Sequence, residues 1–213
     1  MDRYYKNTNH DSINRGKIGY EQLSDKYKTI SDIRKMLRLA SENNYLYGIE
    51  FALNNGADIH DDNDYSLRYS SYSGNLEVVK YLVEHGADIH ANDEHSIRLS
   101  IESNKTDVVK YLIESGSNIH VYNEEPLKSS ISHGNLEIVN LLLEKGANVH
   151  IEEELPLKKA YFNGNIDMIN LFIKYGADKD IVKKWVIDCN HDKTNIKLLE
   201  KPDYNKKRNL IYD

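Results

Sequence analysis

The chain has 213 residues with a formal net charge of −6, and 39% of its residues are hydrophobic while 29% are charged. No stretch approaches the ~20 uncharged apolar residues that a membrane helix needs, which excludes a transmembrane span. The single cysteine, Cys189, excludes an intramolecular disulfide framework and a cysteine-rich zinc site.

The N-terminal segment, residues 1–34, shows no repeat register, and we expect either a tail or a degenerate capping repeat there. Its first thirty residues lack an apolar core flanked by a cleavage site, which argues against a secretory signal. These residues carry a charge of +2, as do residues 201–213, so residues 31–200 carry −10. A body this acidic should repel nucleic acid, and we expect neither nucleic acid nor membrane as a partner.

A five-residue motif returns every 30 residues through the middle of the chain. It first reads Gly56-Ala57-Asp58-Ile59-His60, and its later copies begin at Gly86, Gly116, Gly146 and Gly176. Such self-similarity at a fixed period is the signature of a repeat architecture. We predict five repeats, with units near 35–64, 65–94, 95–124, 125–154 and 155–184.

Each repeat is predicted to contain two helices. The first begins near Tyr65 and its equivalents, and it carries a large residue followed three positions later by a small one, as in Leu67 and Ser70. In the second helix, Leu76, Val79, Leu82 and Val83 form an apolar stripe. Gly74 is expected to form the turn between the two helices, and a short extended loop should lead to the next repeat. Because one such unit cannot bury its stripe alone, the sequence predicts an all-α solenoid of stacked helix–turn–helix repeats.

The C-terminal part departs from this pattern. Residues 185–200 keep an apolar face but lack the glycines, which predicts a degenerate capping half-repeat, and residues 201–213 form a polar basic tail.

The segment from Gly74 to Ile89, Gly-Asn-Leu-Glu-Val-Val-Lys-Tyr-Leu-Val-Glu-His-Gly-Ala-Asp-Ile, resembles the second helix and loop entry of the ankyrin repeat family. The family period is about 33 residues, so the loops here are three residues shorter and should have stubbier tips. With its 30-residue period, the chain looks like the ankyrin proteins of giant DNA viruses. The resemblance implies a partner-binding scaffold. We expect a non-enzymatic monomer without cofactors, located in the cytoplasm because the single cysteine and the missing secretory signal fit a reducing compartment, and in a host cell if the protein is viral.

The same resemblance implies that a host or viral protein binds at the loop tips and the first-helix face. An adaptor role in a ubiquitin-ligase complex and a structural role in a virion are alternatives. Two groups of residues are candidates for partner contact. The acidic group is Asp62, Asp64, Asp93, Glu94, Glu124 and Glu153, and the aromatic group is Tyr69, Tyr72, Tyr122 and Phe162.

The acidic loops have two interpretations at this stage. They can form an anionic strip that recruits a partner with a basic surface, or they can pair internally with a ladder of basic residues on the first helices. That ladder comprises Arg38, Arg68, Arg98, Lys128 and Lys158. The aromatic residues can likewise be interface anchors or can pack between repeats.

Two further patterns could carry chemistry. His60, His90, His120 and His150 recur at one loop position, but stacked helices ~10 Å apart would hold neighbouring imidazoles too far apart to share a zinc ion. We therefore predict hydrogen bonds from these histidines to the backbone of adjacent loops, and no metal site. The Cys189 region invites a cysteine–histidine nucleophile, but it falls in the cap, and a thiol buried against Ile187 would be inert. We expect no catalytic residues.

Overall fold

The computed structural model describes residues 30–189, 191 and 196–200. The chain divides into two compact units, Met1–Asn118 and Ile119–Asp213. Over the described residues both units are helical and contain no strand. The predicted tail or capping repeat over 1–34 lies outside the described residues except for residues 30–34, and the basic tail over 201–213 lies wholly outside them.

The first unit contains three helix pairs. Its helices are α1 (Ile30–Glu42), α2 (Leu46–Asn54), α3 (Asp61–Ser73), α4 (Leu76–Glu84), α5 (Ala91–Glu102) and α6 (Thr106–Glu114). The first helices of each pair pack against one another, α1 on α3 and α3 on α5, and the second helices α2, α4 and α6 do the same.

The second unit contains two helix pairs and a shorter end. Its helices are α7 (Val121–Ser132), α8 (Leu136–Glu144), α9 (Ile151–Phe162), α10 (Ile166–Lys174), α11 (Lys179–Asp188) and a 3₁₀ helix (Ile196–Glu200). Here α7, α9 and α11 form the row of first helices, while α8, α10 and the 3₁₀ helix form the row of second helices.

The core lies between the two helix rows of each unit and follows the predicted large-and-small pairs. Leu67 and Ser70 are fully buried, and so are the equivalent pairs Ile97/Ser100, Leu127/Ser130 and Leu157/Ala160. Small residues at these positions let helices approach closely. The close approach is clearest between Ala40, at the small position of α1, and Gly48 of α2. A Cβ added to Gly48 would lie 2.9 Å from the Cβ of Ala40.

The predicted apolar stripe of the second helices is largely confirmed, and the buried face is wider than predicted. Val79 and Leu82 are fully buried in α4, whereas Leu76 and Val83 are only half-buried. The position of Val78 was not predicted, and its equivalents Val108, Ile138 and Met168 also lie in the core. Two neighbouring positions are buried because the second helix contacts both its own first helix and the next second helix, which widens the apolar face.

The predicted turn between the two helices of a repeat is confirmed. Gly74 adopts φ 84°, a left-handed conformation that residues with a Cβ adopt at a cost. Asn104 takes the equivalent place with φ 56°, since its short polar side chain tolerates this region.

The fold class predicted from the sequence, an all-α solenoid of helix–turn–helix repeats, is confirmed over the described residues. At the end of the array, α11 begins at Lys179, inside the predicted fifth unit, and continues into the predicted half-repeat over residues 185–200. The Asp178 carboxylate accepts hydrogen bonds from the backbone N–H groups of Asp180 (2.8 Å) and Ile181 (3.3 Å), and this capping starts the helix at once. None of the described helices is long and apolar enough to cross a bilayer.

Candidate functional site

A tight turn of three residues, which we call the left-handed connector, precedes the first helix of four of the repeats. It comprises residues 62–64, 92–94, 122–124 and 152–154, and all twelve have φ between 47° and 67°. Each connector lies inside the bounds given above for α3, α5, α7 or α9, and the right-handed part of the helix starts at the next residue, at Tyr65, His95, Glu125 and Leu155 as predicted. The predicted extended loop is therefore wrong, since the short connection reverses its direction through consecutive left-handed residues.

A histidine and a carboxylate hold each connector together. The Nδ1 atom of His60 lies 3.1 Å from an oxygen of Asp64, and His120 and His150 each lie 2.5 Å from the glutamate four residues later. His90 makes the same contact with Glu94. The predicted backbone partner in the adjacent loop is therefore wrong. The link to the next loop runs instead through the carboxylate, because the backbone N–H of Asp88 donates to Asp64 at 2.8 Å.

These paired carboxylates are buried, whereas the histidines that cover them are more than half exposed. Asp64, Glu94 and Glu124 are at most 6% exposed. A partner protein cannot reach a buried carboxylate without opening the connector, so these three predicted contact residues belong to the internal structure. We exclude them from the surface proposed below.

The basic ladder contacts the same connectors. Arg38 lies 2.9 Å from Asp61 and 3.2 Å from Asp62. Arg68 donates to the carbonyl oxygens of Asp62 (2.6 Å) and Asn63 (2.8 Å). The remaining rungs also contact their loops: Arg98 donates to the carbonyl of Asp93, Lys128 pairs with Glu152 at 3.3 Å, and Lys158 pairs with Glu153 at 3.7 Å. Of the two interpretations, these contacts favour internal pairing.

The outward face of α3 carries a strip of three tyrosines, which we call the tyrosine strip: Tyr65, Tyr69 and Tyr72. The rings of Tyr65 and Tyr69 stack with centroids 5.7 Å apart, and Tyr69 and Tyr72 meet at 6.3 Å. Tyr65 and Tyr69 are half-buried, while Tyr72 is 50% exposed. The structure thus places two of the predicted contact aromatics side by side in the first unit.

Tyr65 was not among the predicted contact residues, although its spacing of i, i+4 and i+7 with Tyr69 and Tyr72 marks one helix face. Its hydroxyl donates to Glu42 at 2.8 Å. Burial and this hydrogen bond raise the pKa of Tyr65 to about 12. The hydroxyl therefore stays protonated at neutral pH, and it anchors the strip to α1.

In the second unit the two other predicted aromatics are exposed. Phe162, at the repeat position equivalent to Tyr72, is 70% exposed and meets the His191 ring edge-on at 6.1 Å. Tyr122 is exposed on a left-handed connector. The ammonium of Lys158 lies 5.6 Å from the centre of the Trp185 ring, and the His191 ring lies 4.2 Å from that centre. These contacts cover part of the row of first helices in the second unit.

Cys189 and the histidines do not assemble into a reactive cluster within the described part of the chain. Cys189 is exposed at the end of α11, where Ile187 is exposed as well, so the predicted burial of the thiol against Ile187 is wrong. No group of three or more histidine, cysteine, aspartate or glutamate side chains among the described residues could hold a metal ion.

These features define a class of protein: an array of helix-pair repeats. The pairs stack through small core residues, and the exposed candidate surface lies on the first helices. The family model for ankyrin repeats (three copies) matches residues 37–123 and 97–183, which together cover more than half of the chain. The chain belongs to the ankyrin repeat family. A comparison with curated proteins finds no match.

Two histidines near the second connector should titrate on opposite sides of the ordinary value of 6.5. The hydrogen bond to Glu94 raises the pKa of His90, whereas burial, with Arg98 and Arg68 nearby, lowers the pKa of His95. His90 therefore stabilises the fold most below pH 6.5, and this contribution is lost as the pH rises through its folded-state pKa. His95 acts in reverse. Its contribution to the stability of the fold is complete above pH 6.5 and is lost as the pH falls through its folded-state pKa.

Residue-resolved NMR titration measures both values. Glu94→Gln should bring the His90 pKa down towards 6.5 and leave that of His95 below 6.5. A His90 that titrates below His95 in the unmodified protein would contradict this assignment.

Proposed function

We propose that this chain is a non-enzymatic protein-interaction module that binds a partner protein on the first-helix face. The observation that carries the proposal is the tyrosine strip of α3, which places three aromatic rings in contact on an outward helix face. Tyrosine is enriched in protein interfaces because it offers a large apolar area, a polar tip and few rotatable bonds. Family membership supports protein binding in general, since ankyrin repeats mediate protein–protein interactions.

The internal contacts fix the shape of this face before a partner arrives. Arg38 and Arg68 lie against the Tyr65 ring, at 5.0 and 5.9 Å from its centre, and Glu42 holds the hydroxyl. A surface that is already ordered loses less conformational entropy on binding. The strip therefore suits a binding surface better than tyrosines on a loop would.

The remaining exposed residues of the predicted site are a secondary part of the proposal. In the first unit these are Asp62, which is partly engaged by Arg38, and Asp93; in the second they are Tyr122, Glu153 and Phe162. Exposed charges contribute more to the rate of encounter than to affinity. The cytoplasmic location and the likeness to viral members stay predictions from the sequence.

The proposal is tested by changing the strip while keeping the fold. The full chain is immobilised, proteins are captured from a cell lysate, and each is quantified by mass spectrometry. Tyr69→Ala with Tyr72→Ala should reduce capture of the specific partner about tenfold or more, because truncating a central aromatic typically costs over 1 kcal/mol of binding energy.

The matched control removes two half-buried tyrosines from the second helices, Tyr81→Ala with Tyr111→Ala. Circular dichroism confirms that both variants are folded. The control should retain the captured proteins. If the strip variant and the control retain the same proteins in equal amounts, the strip is not the binding surface.

A further inference from the structure

The guanidinium of Arg68 contacts only neutral groups of the protein. Its Nε and Nη2 atoms donate to the carbonyl oxygens of Asn63 (2.8 Å) and Asp62 (2.6 Å), and its Nη1 atom lies 3.4 Å from Nδ1 of His95. Over the described residues, this guanidinium forms no ion pair with a carboxylate. Three other members of the basic ladder do form one, namely Arg38, Lys128 and Lys158.

The amino-acid sequence explains why Arg68 differs from these residues. Two members of the ladder pair with an acidic residue 24 positions later, in the next connector: Arg38 with Asp62 at 3.2 Å and Lys128 with Glu152 at 3.3 Å. The residue 24 positions after Arg68 is Asn92, whose amide is uncharged. The second connector therefore lacks the carboxylate that the equivalent residue supplies in these other two connectors.

The buried carboxylates at the start of α3 and α5 are engaged by other basic side chains. These contacts join Asp61 to Arg34 and Arg38, Asp64 to His60, and Glu94 to His90. The positive charge of Arg68 is therefore not balanced directly by any of these carboxylates.

His95 adds no balancing charge either. The Nδ2 atom of Asn92 lies 2.9 Å from Nδ1 of His95, and Arg68 approaches the same nitrogen. Both neighbours are donors, so we assign Nδ1 as the acceptor of a neutral ring. Burial, with Arg98 and Arg68 nearby, lowers the pKa of His95, and this also favours the neutral ring at neutral pH.

The N–H groups that Arg68 does not use suit a carboxylate. Arginine has five N–H donors, and the contacts here use one on each of its three nitrogens. One N–H remains on each terminal nitrogen, and such a pair of donors fits the two oxygens of a carboxylate. Arg68 is half-buried, its guanidinium lies 5.9 Å from the centre of the Tyr65 ring, and Tyr69 follows it in the chain. A carboxylate bound to Arg68 would therefore lie beside the tyrosine strip.

We infer that Arg68 binds an aspartate or glutamate side chain of the partner protein when that partner docks on the tyrosine strip. This inference rests on the proposed function and specifies the chemistry of the partner. The partner segment carries an acidic residue next to the side chains that cover the tyrosine rings. The ion pair selects among partners more than it tightens binding, because Arg68 is still partly solvated.

The experiment compares two short fluorescent peptides with the full chain, using fluorescence anisotropy. Both carry leucine at every third position to contact the tyrosine rings, and glycine and serine elsewhere. After each leucine, one peptide has glutamate and the other has glutamine, which keeps the shape and removes the charge. At about 150 mM salt, the Debye length of about 8 Å limits repulsion from the net negative charge of the chain. The glutamate peptide should bind about fivefold more tightly than the glutamine peptide.

Two variants test whether Arg68 causes this preference. Asn92→Asp supplies the missing carboxylate, and Asp62, with φ 51° at the equivalent position, shows that aspartate fits there. Because the new carboxylate competes with the peptide for Arg68, the preference for glutamate should fall below about twofold. Arg68→Gln removes the guanidinium and should have the same effect. Circular dichroism confirms that each variant is folded.

The matched control is Asn148→Asp, which adds the same charge in the second unit. Asn148 is exposed, and two other repeats carry aspartate at this position, so the substitution suits the fold. The control should keep the preference for glutamate.

The inference is overturned if the two peptides bind alike or do not bind, if the preference survives in either Arg68-site variant, or if the control loses it. These results are separable from the lysate experiment. If the Tyr69/Tyr72 variant loses its captured proteins while the two peptides bind alike, the interaction surface stands and only the carboxylate assignment fails.

Discussion

Replacing Leu142 with alanine should lower the free energy of unfolding by about 2–5 kcal/mol. Leu142 lies in the middle of α8 and is fully buried between the two helix rows of the second unit. The substitution removes apolar area from the core and leaves a cavity that rigid stacked helices fill poorly. Because native proteins are only marginally stable, a loss of this size is a large fraction of the total.

The matched control is Leu136→Ala, at the first position of the same helix. Leu136 is 38% exposed, so its truncation should cost far less than that of Leu142. Urea titrations followed by helical circular dichroism measure both variants. Equal losses at the two positions would mean that the buried face of α8 is assigned incorrectly.

Proline at position 153 should destabilise the second unit by about 3 kcal/mol or more, whereas glycine at the same position should not. Glu153 has φ 54° in the middle of a left-handed connector. Proline is fixed near φ −65° and cannot enter this conformation, so the connector would have to rearrange. Glycine adopts this conformation freely, which removes a backbone cost of about 1–2 kcal/mol. The greater entropy of glycine in the unfolded chain offsets part of that gain in stability.

Position 153 isolates this backbone effect because its side chain does little else. The Glu153 side chain is 88% exposed, and its contact with Lys158 at 3.7 Å is a surface ion pair of small worth. Thermal unfolding of the two variants provides the measurement. A proline variant as stable as the glycine variant would show that the connector does not need left-handed residues.

The helix pairs could be predicted because burial in a repeat array is itself periodic. Leu67 and Ser70 share their spacing with every equivalent pair, and repetition turns a weak local pattern into a clear one. The glycine turn at Gly74 is equally local, because a positive φ selects glycine or asparagine. The additional burial of Val78 was not predicted, since it depends on how neighbouring helices pack.

The connectors could not be predicted in the same way. Asp62, Asn63 and Asp64 look like any polar loop, and the run Glu152, Glu153 and Glu154 gives no propensity signal for left-handed backbone. Their conformation is fixed by contacts that the sequence does not reveal, namely the histidine before them and the basic residue after them. For the same reason the acidic residues at the ends of the connectors looked like exposed partner contacts, although they are buried.

The candidate contact residues could be predicted only in part. Tyr69 and Tyr72 were predicted because tyrosine and phenylalanine are favoured at protein interfaces, and the structure adds Tyr65 through its stacking on Tyr69.

The first connector makes three of its bonds over very short stretches of chain. His60 reaches Asp64 four residues on, and Arg68 reaches back five and six residues to the carbonyls of Asn63 and Asp62. Contacts this local close quickly and at little entropic cost. During synthesis such a turn can form once Arg68 has left the ribosome, before the next repeat exists. A chain that gains or loses a 30-residue segment would therefore carry these local bonds with it, while the bonds of Asp61, Asp62 and Asp64 to neighbouring repeats would form with the next copy of the motif.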